Sequence, residues 1–153
     1  MAEKMKNNFT YLLRVRYSEC DAQKVVFNGR YSDYVDLAVG EFMRAVWGDY
    51  NDLLAAGFDN QVVSYTINWQ GPARFDEVLA CEVNAKHIGS SSFSFQVDFK
   101  NYHSDTAVAH AEIVYVMVDA QTHQKRAIPE SMKAKLKQGA DGKTINHAGV
   151  MCE

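Results

Sequence analysis

A chain of 153 residues, 47% of them hydrophobic and 23% charged, is long enough for one globular domain that buries roughly two-thirds of its unfolded surface. Its formal net charge of −3, without any run of Lys or Arg longer than two, argues against nucleic acid as a partner. No stretch approaches the ~18 consecutive apolar residues of a transmembrane helix, and no apolar core follows the lysines of Met1 to Asn8, so neither membrane insertion nor a secretory signal is expected.

The first predicted element is a strand with alternating apolar residues. These are Phe9, Tyr11, Leu13, Val15 and Tyr17. A helix is predicted to begin after residues 27–30, with Asn28 or Ser32 as its N-cap. Apolar residues then recur at spacings of three and four, which is typical of an amphipathic helix. They are Tyr31, Tyr34, Val35, Ala38, Phe42 and Val46. The helix is expected to end near Gly48, and a short second helix to occupy residues 49–56.

The rest of the chain mostly follows a period of two. Strands are predicted at residues 63–69, 77–87, 93–99 and 106–119. Pro129 opens a last helix that continues to about Lys137. Without an internal repeat or a Pro/Gly/Ser linker, residues 1–153 are predicted to form a single domain. Its core spans about residues 9–138, and a loosely ordered tail follows at 139–153.

This order of elements predicts an α+β architecture. Long strands joined by short turns imply a meandering antiparallel sheet, and the long helix can cover its apolar face. An isolated copy would leave an edge strand and an apolar face exposed, so at least a homodimer is expected.

Familiar hydrolase motifs are absent: there is no Gly-x-Ser-x-Gly, His-Glu-x-x-His or Cys-x-x-Cys sequence. The run 142–144 ends like a phosphate loop, but Lys137 stands where such a loop requires glycine. Five scattered histidines suggest no metal set, and Cys20, Cys81 and Cys152 have no metal-like pairing, so no metal or cofactor is predicted. Free thiols without an export signal favour a cytoplasmic protein.

The remaining candidate region is the segment between the first strand and the long helix. It contains, in order, Arg16-Tyr17, Glu19, Asp21, Val25-Val26-Phe27, Asn28 and Tyr31. Further matching positions are Glu41, Arg44, the run 72–76 and the run 127–130. In this order and spacing, these motifs resemble those of the 4-hydroxybenzoyl-CoA thioesterase family, which includes the bacterial acyl-CoA thioesterases associated with the Tol–Pal cluster. The resemblance covers about residues 10 to 137.

The resemblance implies a hotdog fold, a long curved antiparallel sheet wrapped around one central helix, and hydrolysis of acyl-CoA thioesters to free acid and CoA. Asp21 is the implied catalytic carboxylate, acting as general base or nucleophile. Backbone N–H groups around Asn28 and Gly29, at the positive end of the helix dipole, would polarise the thioester carbonyl. Phe27 and Tyr31 would then form walls of the acyl pocket.

Ordinary structural roles compete with these assignments. An Asp before a helix is most often a turn or capping residue, and Tyr31 lies on the apolar stripe of the helix. Ser64, on the strand expected to face the helix start, is a substrate-binding candidate that otherwise merely packs. Lys24 and Asn28 depart from the family pattern, which usually has Gly at the first position and, in many members, His or Tyr at the second.

Two alternative functions share these features. An acyl-carrier-protein thioesterase would use the same site, but its acidic partner favours a basic rim and this chain is net acidic. A non-catalytic acyl-binding module would not require Asp21. The expected partners are therefore an acyl-CoA substrate and further copies of the chain, as a homodimer or homotetramer.

Overall fold

The computed structural model describes residues 8–151. Cys152 and nearly all of the segment from Met1 to Asn8 lie outside the described residues. The strands are β1 (Phe9–Arg14), β2 (Phe58–Trp69), β3 (Val78–Ile88), β4 (Ser92–Asn101), β5 (Ala107–Asp119) and β6 (Thr144–Asn146). The helices are α1 (Tyr31–Trp47), α2 (Tyr50–Ala55) and α3 (Glu130–Gln138).

The strands form one sheet in the order β2-β5-β4-β3-β1-β6. Neighbouring strands are antiparallel, except that β6 runs parallel to β1. Strands β3, β4 and β5 lie within a few residues of their predicted positions, whereas β2 begins at Phe58 instead of residue 63. β1 ends at Arg14, because the chain turns into a 3-10 helix at Tyr17 instead of continuing as a strand.

Helix α1 covers one face of the sheet. Its buried apolar stripe consists of Tyr31, Tyr34, Val35, Ala38, Val39 and Phe42. The stripe packs against alternate side chains of β4, namely Phe93, Phe95, Val97 and Phe99. The Phe42 ring lies with its centroid 5.4 Å from that of Phe9 and 5.3 Å from that of Phe95. The predicted α+β architecture, a long antiparallel sheet on one central helix, is confirmed.

The two ends of α1 differ in how well they were predicted. Gly48 ends the helix with φ +86, a conformation in which side chains are unfavourable. At the other end, neither Asn28 nor Ser32 caps α1 with its side chain. A 3-10 turn that begins at Asn28 leads directly into α1, so the N–H of Tyr31 already donates to the Asn28 carbonyl. The Ser32 hydroxyl donates to the Gly29 carbonyl at 2.9 Å.

The tail predicted to be loosely ordered carries a strand. β6 pairs with β1, with Thr144 opposite Thr10. The Arg14 guanidinium donates to the Ala148 carbonyl at 3.0 Å. The expectation was wrong here because β1 would otherwise expose a row of unpaired N–H and C=O groups, and the tail supplies partners for them.

Strand β2 forms the opposite edge of the sheet and is exposed along most of its length. Val62 and Val63 are 53% and 60% exposed, and the register against β5 shifts at this point. Among residues 8–151, no helix is both long and apolar enough to cross a membrane.

Candidate active site

The loop between β1 and α1 folds back on itself as a short hairpin. The Phe27 N–H donates to the Glu19 carbonyl, and the Asp21 N–H donates to the Val25 carbonyl, both at 2.9 Å. A β-bridge from Val25 to Arg74 fastens this hairpin to the segment before β3. The loop that carries the candidate residues is therefore held by backbone hydrogen bonds on both sides.

Asp21 stands at the tight turn of the hairpin. Its Oδ1 accepts the Gln23 N–H at 2.8 Å, whereas Oδ2 has no hydrogen bond within residues 8–151. Its backbone carbonyl accepts the Lys24 N–H at 2.9 Å, and Lys24 has φ +64. The backbone at position 24 adopts the left-handed conformation, which glycine adopts without strain. This explains why glycine suits position 24. Asp21 is half-buried and keeps one carboxylate oxygen for a water molecule or a substrate.

The 3-10 turn before α1 provides two unused backbone donors. Within the described chain, the N–H groups of Asn28 and Gly29 make no hydrogen bond, whereas the Arg30 N–H donates to the Phe27 carbonyl. The first N–H groups of a helix also carry the positive end of its dipole. Both donors are therefore suited to stabilise an oxyanion.

A cavity of about 270 Å³ lies beside the Asp21 turn. Its walls include Asp21, Asn28, Tyr31, Trp69, Gly71 and Pro72. The structure thus brings three of the predicted site residues to one cavity. Phe27 and Gly29 are not among the lining residues: the Phe27 ring is 48% exposed and lies over Gly29, where an added Cβ would come within 2.9 Å of it.

Tyr31 belongs to both the core and the cavity. Its ring centroid lies 5.7 Å from that of Tyr34, 5.8 Å from that of Trp69 and 5.7 Å from that of Phe99. Burial raises the pKa of Tyr31 to about 12, so its hydroxyl is a neutral donor at physiological pH. Trp69 was not predicted as a site residue, although the alternation of β2 placed it on the same face as the other apolar side chains.

Ser64 does not face the cavity of its own chain. It lies opposite Val114, whereas its neighbour Tyr65 lies opposite the core residue Ile113. Because opposite residues in an antiparallel pair point to the same side, Ser64 projects from the outer face of the sheet. The strand that carries Ser64 reaches this cavity through Trp69, so a substrate-binding role for Ser64 stays a prediction.

Other reactive side chains lie elsewhere. Among residues 8–151, no cluster of three or more His, Cys, Asp or Glu side chains is arranged to hold a metal ion. His110 Nδ1 lies 2.7 Å from Asp98 Oδ1 on neighbouring strands. Burial raises the pKa of the Cys81 thiol, which keeps it protonated and unreactive.

Known proteins are similar in sequence to this chain over most of its length. The family model described as Thioesterase-like superfamily matches residues 15–136. A putative esterase from Aquifex aeolicus is 29% identical over 110 residues, which cover 72% of this chain and 84% of the relative. The acyl-CoA thioester hydrolase YbgC of Escherichia coli O6:H1 is 28% identical over 130 residues, covering 85% of this chain and 96% of the relative.

Solved structures share the fold. A structure described as a thioesterase superfamily protein from Jannaschia sp. CCS1 matches with a TM-score of 0.81 at 18% identity, covering 91% of this chain and 97% of that one. At this identity the likeness concerns the fold alone, and it confirms the predicted hotdog fold. Since the family model spans the Asp21 hairpin, α1 and the strands β2 to β5, the chain belongs to the thioesterase-like superfamily.

Proposed function

We propose that this protein hydrolyses acyl-CoA thioesters to the free acid and CoA. The observation that carries the proposal is the placement of the Asp21 carboxylate and the Asn28 N–H at one cavity, with the Gly29 N–H beside it. Neither N–H group has a hydrogen-bond partner among residues 8–151. A carboxylate and preorganised donors are the two groups that acyl transfer requires. The name of the E. coli relative, an acyl-CoA thioester hydrolase, supports the same substrate class.

The reaction follows from these groups. As a general base, Asp21 takes a proton from water while the water oxygen bonds to the thioester carbonyl carbon. The carbonyl oxygen becomes an oxyanion, which the N–H groups of Asn28 and Gly29 stabilise. When the tetrahedral intermediate collapses, the C–S bond breaks and the thiolate of CoA leaves, taking the proton from Asp21.

Little further help is needed for the leaving group. A thiol has a pKa near ~8.5, so the thiolate leaves without a strong general acid. As a nucleophile, Asp21 would instead form an acyl anhydride that water then hydrolyses, with the same donors on the oxyanion. Both routes require the charged carboxylate, and neither requires the Asn28 side chain.

We further propose that the active protein is at least a homodimer paired through β2. A second cavity, of about 480 Å³, lies between α1, α2 and the first half of β2, and its walls include Asn60, Val62 and Tyr115. Antiparallel pairing centred on the middle of β2 would place Trp69 of one protomer opposite Phe58 of the partner subunit, two residues from the partner's Asn60. The cavity at Asp21 would then join the partner's larger cavity, and each site would be completed by both chains.

The proposed substrate and the free thiols of Cys20 and Cys81 favour the cytoplasm. Because the cavity at Asp21 has both aromatic and polar walls, the acyl-CoAs tested should differ in chain length and in aromaticity.

Purified protein incubated with a panel of acyl-CoAs and a thiol-reactive dye tests the proposal. Release of CoA above the background of an Asp21→Asn protein, which has the same cysteines, is the expected result. Absence of CoA release from every member of the panel would contradict it. Hydrolysis of a thioester between an acyl group and acyl-carrier protein, without hydrolysis of any acyl-CoA, would support the carrier-protein alternative.

A further inference from the structure

The Glu19 carboxylate connects the start of the Asp21 hairpin to α1. Its Oε1 accepts the backbone N–H of Arg16 at 2.7 Å and the hydroxyl of Tyr34 at 2.9 Å. Tyr34 is 1% exposed and belongs to the buried stripe of α1. One carboxylate oxygen therefore joins the chain just after β1 to the central helix.

The backbone of Glu19 joins the other side of the hairpin. Its carbonyl accepts the N–H of Phe27 at 2.9 Å, and its own N–H donates to the Arg16 carbonyl at 3.0 Å. Asp21 follows Glu19 by two residues, and Asn28 directly follows Phe27. Glu19 is thus the point at which the carboxylate side and the N–H side of the candidate site are fastened to each other and to α1.

The Tyr34 hydroxyl is a permanent hydrogen-bond donor to the Glu19 carboxylate. Burial, and then the hydrogen bond to Glu19, raise the pKa of Tyr34, so the hydroxyl remains protonated and keeps donating. The Tyr34 hydroxyl makes no other hydrogen bond within the described residues. Leaving this buried hydroxyl without an acceptor is unfavourable, and the pair therefore resists displacement.

We infer that Glu19 is a positioning residue for the proposed thioester hydrolysis, holding the Asp21 carboxylate at a constant distance from the N–H groups of Asn28 and Gly29. The inference rests on the proposed function. The Glu19 side chain acts only as a hydrogen-bond acceptor, so the charge of its carboxylate is not required. This separates its role from that of Asp21, whose charge is required.

Three substitutions test the inference by steady-state kinetics. Glu19→Gln keeps the accepting oxygen and should retain kcat within about 3-fold, because both hydrogen bonds can still form. Glu19→Ala should lower kcat by about 10- to 100-fold with a much smaller change in KM, since a displacement of about 1 Å is enough to cost that much. Tyr34→Phe removes one donor and should lie between them. Glu130→Ala, which removes an exposed carboxylate from α3, should behave like the wild type.

Hydrogen–deuterium exchange provides a second readout that does not depend on activity. In Glu19→Ala, peptides covering residues 19–30 should exchange faster than in the wild type, while peptides from β4 and β5 should not change. Glu19→Gln should restore the wild-type protection. Unchanged exchange over residues 19–30 in Glu19→Ala, or in Tyr34→Phe if the alanine variant does not fold, would overturn the inference.

The outcomes distinguish the two proposals. A wild-type protein that hydrolyses no acyl-CoA contradicts the proposed function, and the exchange data then decide on the Glu19 role alone. If the wild type is active and a folded Glu19→Ala protein keeps full kcat, the inference is overturned, because Glu19 then stabilises the loop without affecting catalysis. A Glu19→Gln protein as inactive as Asp21→Asn would show that the Glu19 charge takes part in the chemistry, which also overturns the inference.

Discussion

At the residue scale, the Asp21 turn combines an unusual backbone conformation with a carboxylate oxygen that has no hydrogen bond to the described part of the chain. Lys24 closes the turn with φ +64, and Gln23 hydrogen-bonds the Asp21 Oδ1. The family pattern has Gly at position 24, and the left-handed conformation supplies the physical reason. A lysine here carries a conformational strain that glycine would not.

The strain at Lys24 predicts a stabilising substitution. The left-handed conformation costs a residue with a side chain roughly 1–2 kcal/mol, and glycine avoids this but loses more chain entropy on folding. Lys24→Gly should therefore raise the free energy of unfolding by about 0.5–1 kcal/mol. Urea unfolding measures the change. Gln23→Gly, next to it without a positive φ, should lower the stability, and a Lys24→Gly protein that is also less stable would contradict the explanation.

The charge of Asp21 predicts a large effect on activity. Asp21→Asn keeps the shape and the Oδ1 acceptor but removes the negative charge, so kcat should fall by about 10²-fold or more. Acyl-CoA turnover measures this, and circular dichroism should show unchanged folding. Full turnover by a folded Asp21→Asn protein would assign the base to another residue.

At the element scale, α1 and β4 form an aromatic core that reaches the cavity beside Asp21. Tyr31 lies at the start of α1 and contacts Phe99 of β4 and Trp69 of β2. The spacing of apolar residues was sufficient to predict both elements, because a helix stripe and a strand face are local patterns. Contacts between them depend on the sheet order.

The burial of Tyr31 predicts a loss of stability at high pH. Its pKa is about 12 in the folded protein against 10.0 as the ordinary value, so above pH 10 the unfolded chain loses this proton first and is favoured. Stability is fully present below about pH 10 and decreases as the pH rises toward 12, by at most about 3 kcal/mol for this group. Urea unfolding at about pH 9 and pH 11.5 should show a smaller decrease for Tyr31→Phe than for the wild type. An equal decrease in both proteins would contradict the role of Tyr31.

At the scale of the whole molecule, the two edges of the sheet differ in how far they are exposed. β6 covers β1, whereas β2 is twelve residues long and, within the described chain, pairs with β5 on one side only. Its exposed large apolar side chains are Val62, Val63, Tyr65 and Trp69. A long, exposed apolar edge is where a second copy can add its own strand. This asymmetry is the structural basis of the proposed dimer.

The proposed dimer predicts that a charge on β2 separates the protomers. Val63→Lys places a like charge close to its symmetry mate near the centre of the paired edges, so the protein should become monomeric and lose most of its activity if each site needs both chains. Light scattering and acyl-CoA turnover measure the two effects. Gln121→Lys, which adds the same charge to an exposed turn, should remain dimeric and active. A fully active wild-type monomer would contradict the dimer proposal.

The sequence by itself determined the order of the helices and of the strands β1 to β5, the α+β class, and the segment in which Asp21, Asn28 and Tyr31 stand. The helix stripe and the strand alternation result from local periodicity, and the site residues were identified by a family resemblance in their order and spacing. The helix stripe and the strand alternation depend on neighbours within a few residues along the chain, so a single sequence is enough to predict them.

Only the tertiary structure decided which residues meet across the sheet. The face on which Ser64 lies depends on its pairing with Val114, and the strand at residues 144–146 exists because β1 offers an unpaired edge. Trp69 enters the cavity, and the Glu19 carboxylate reaches Tyr34, through contacts between segments that are distant in sequence or separated by a turn. Such contacts depend on register and sheet order, which are long-range properties that local periodicity does not encode.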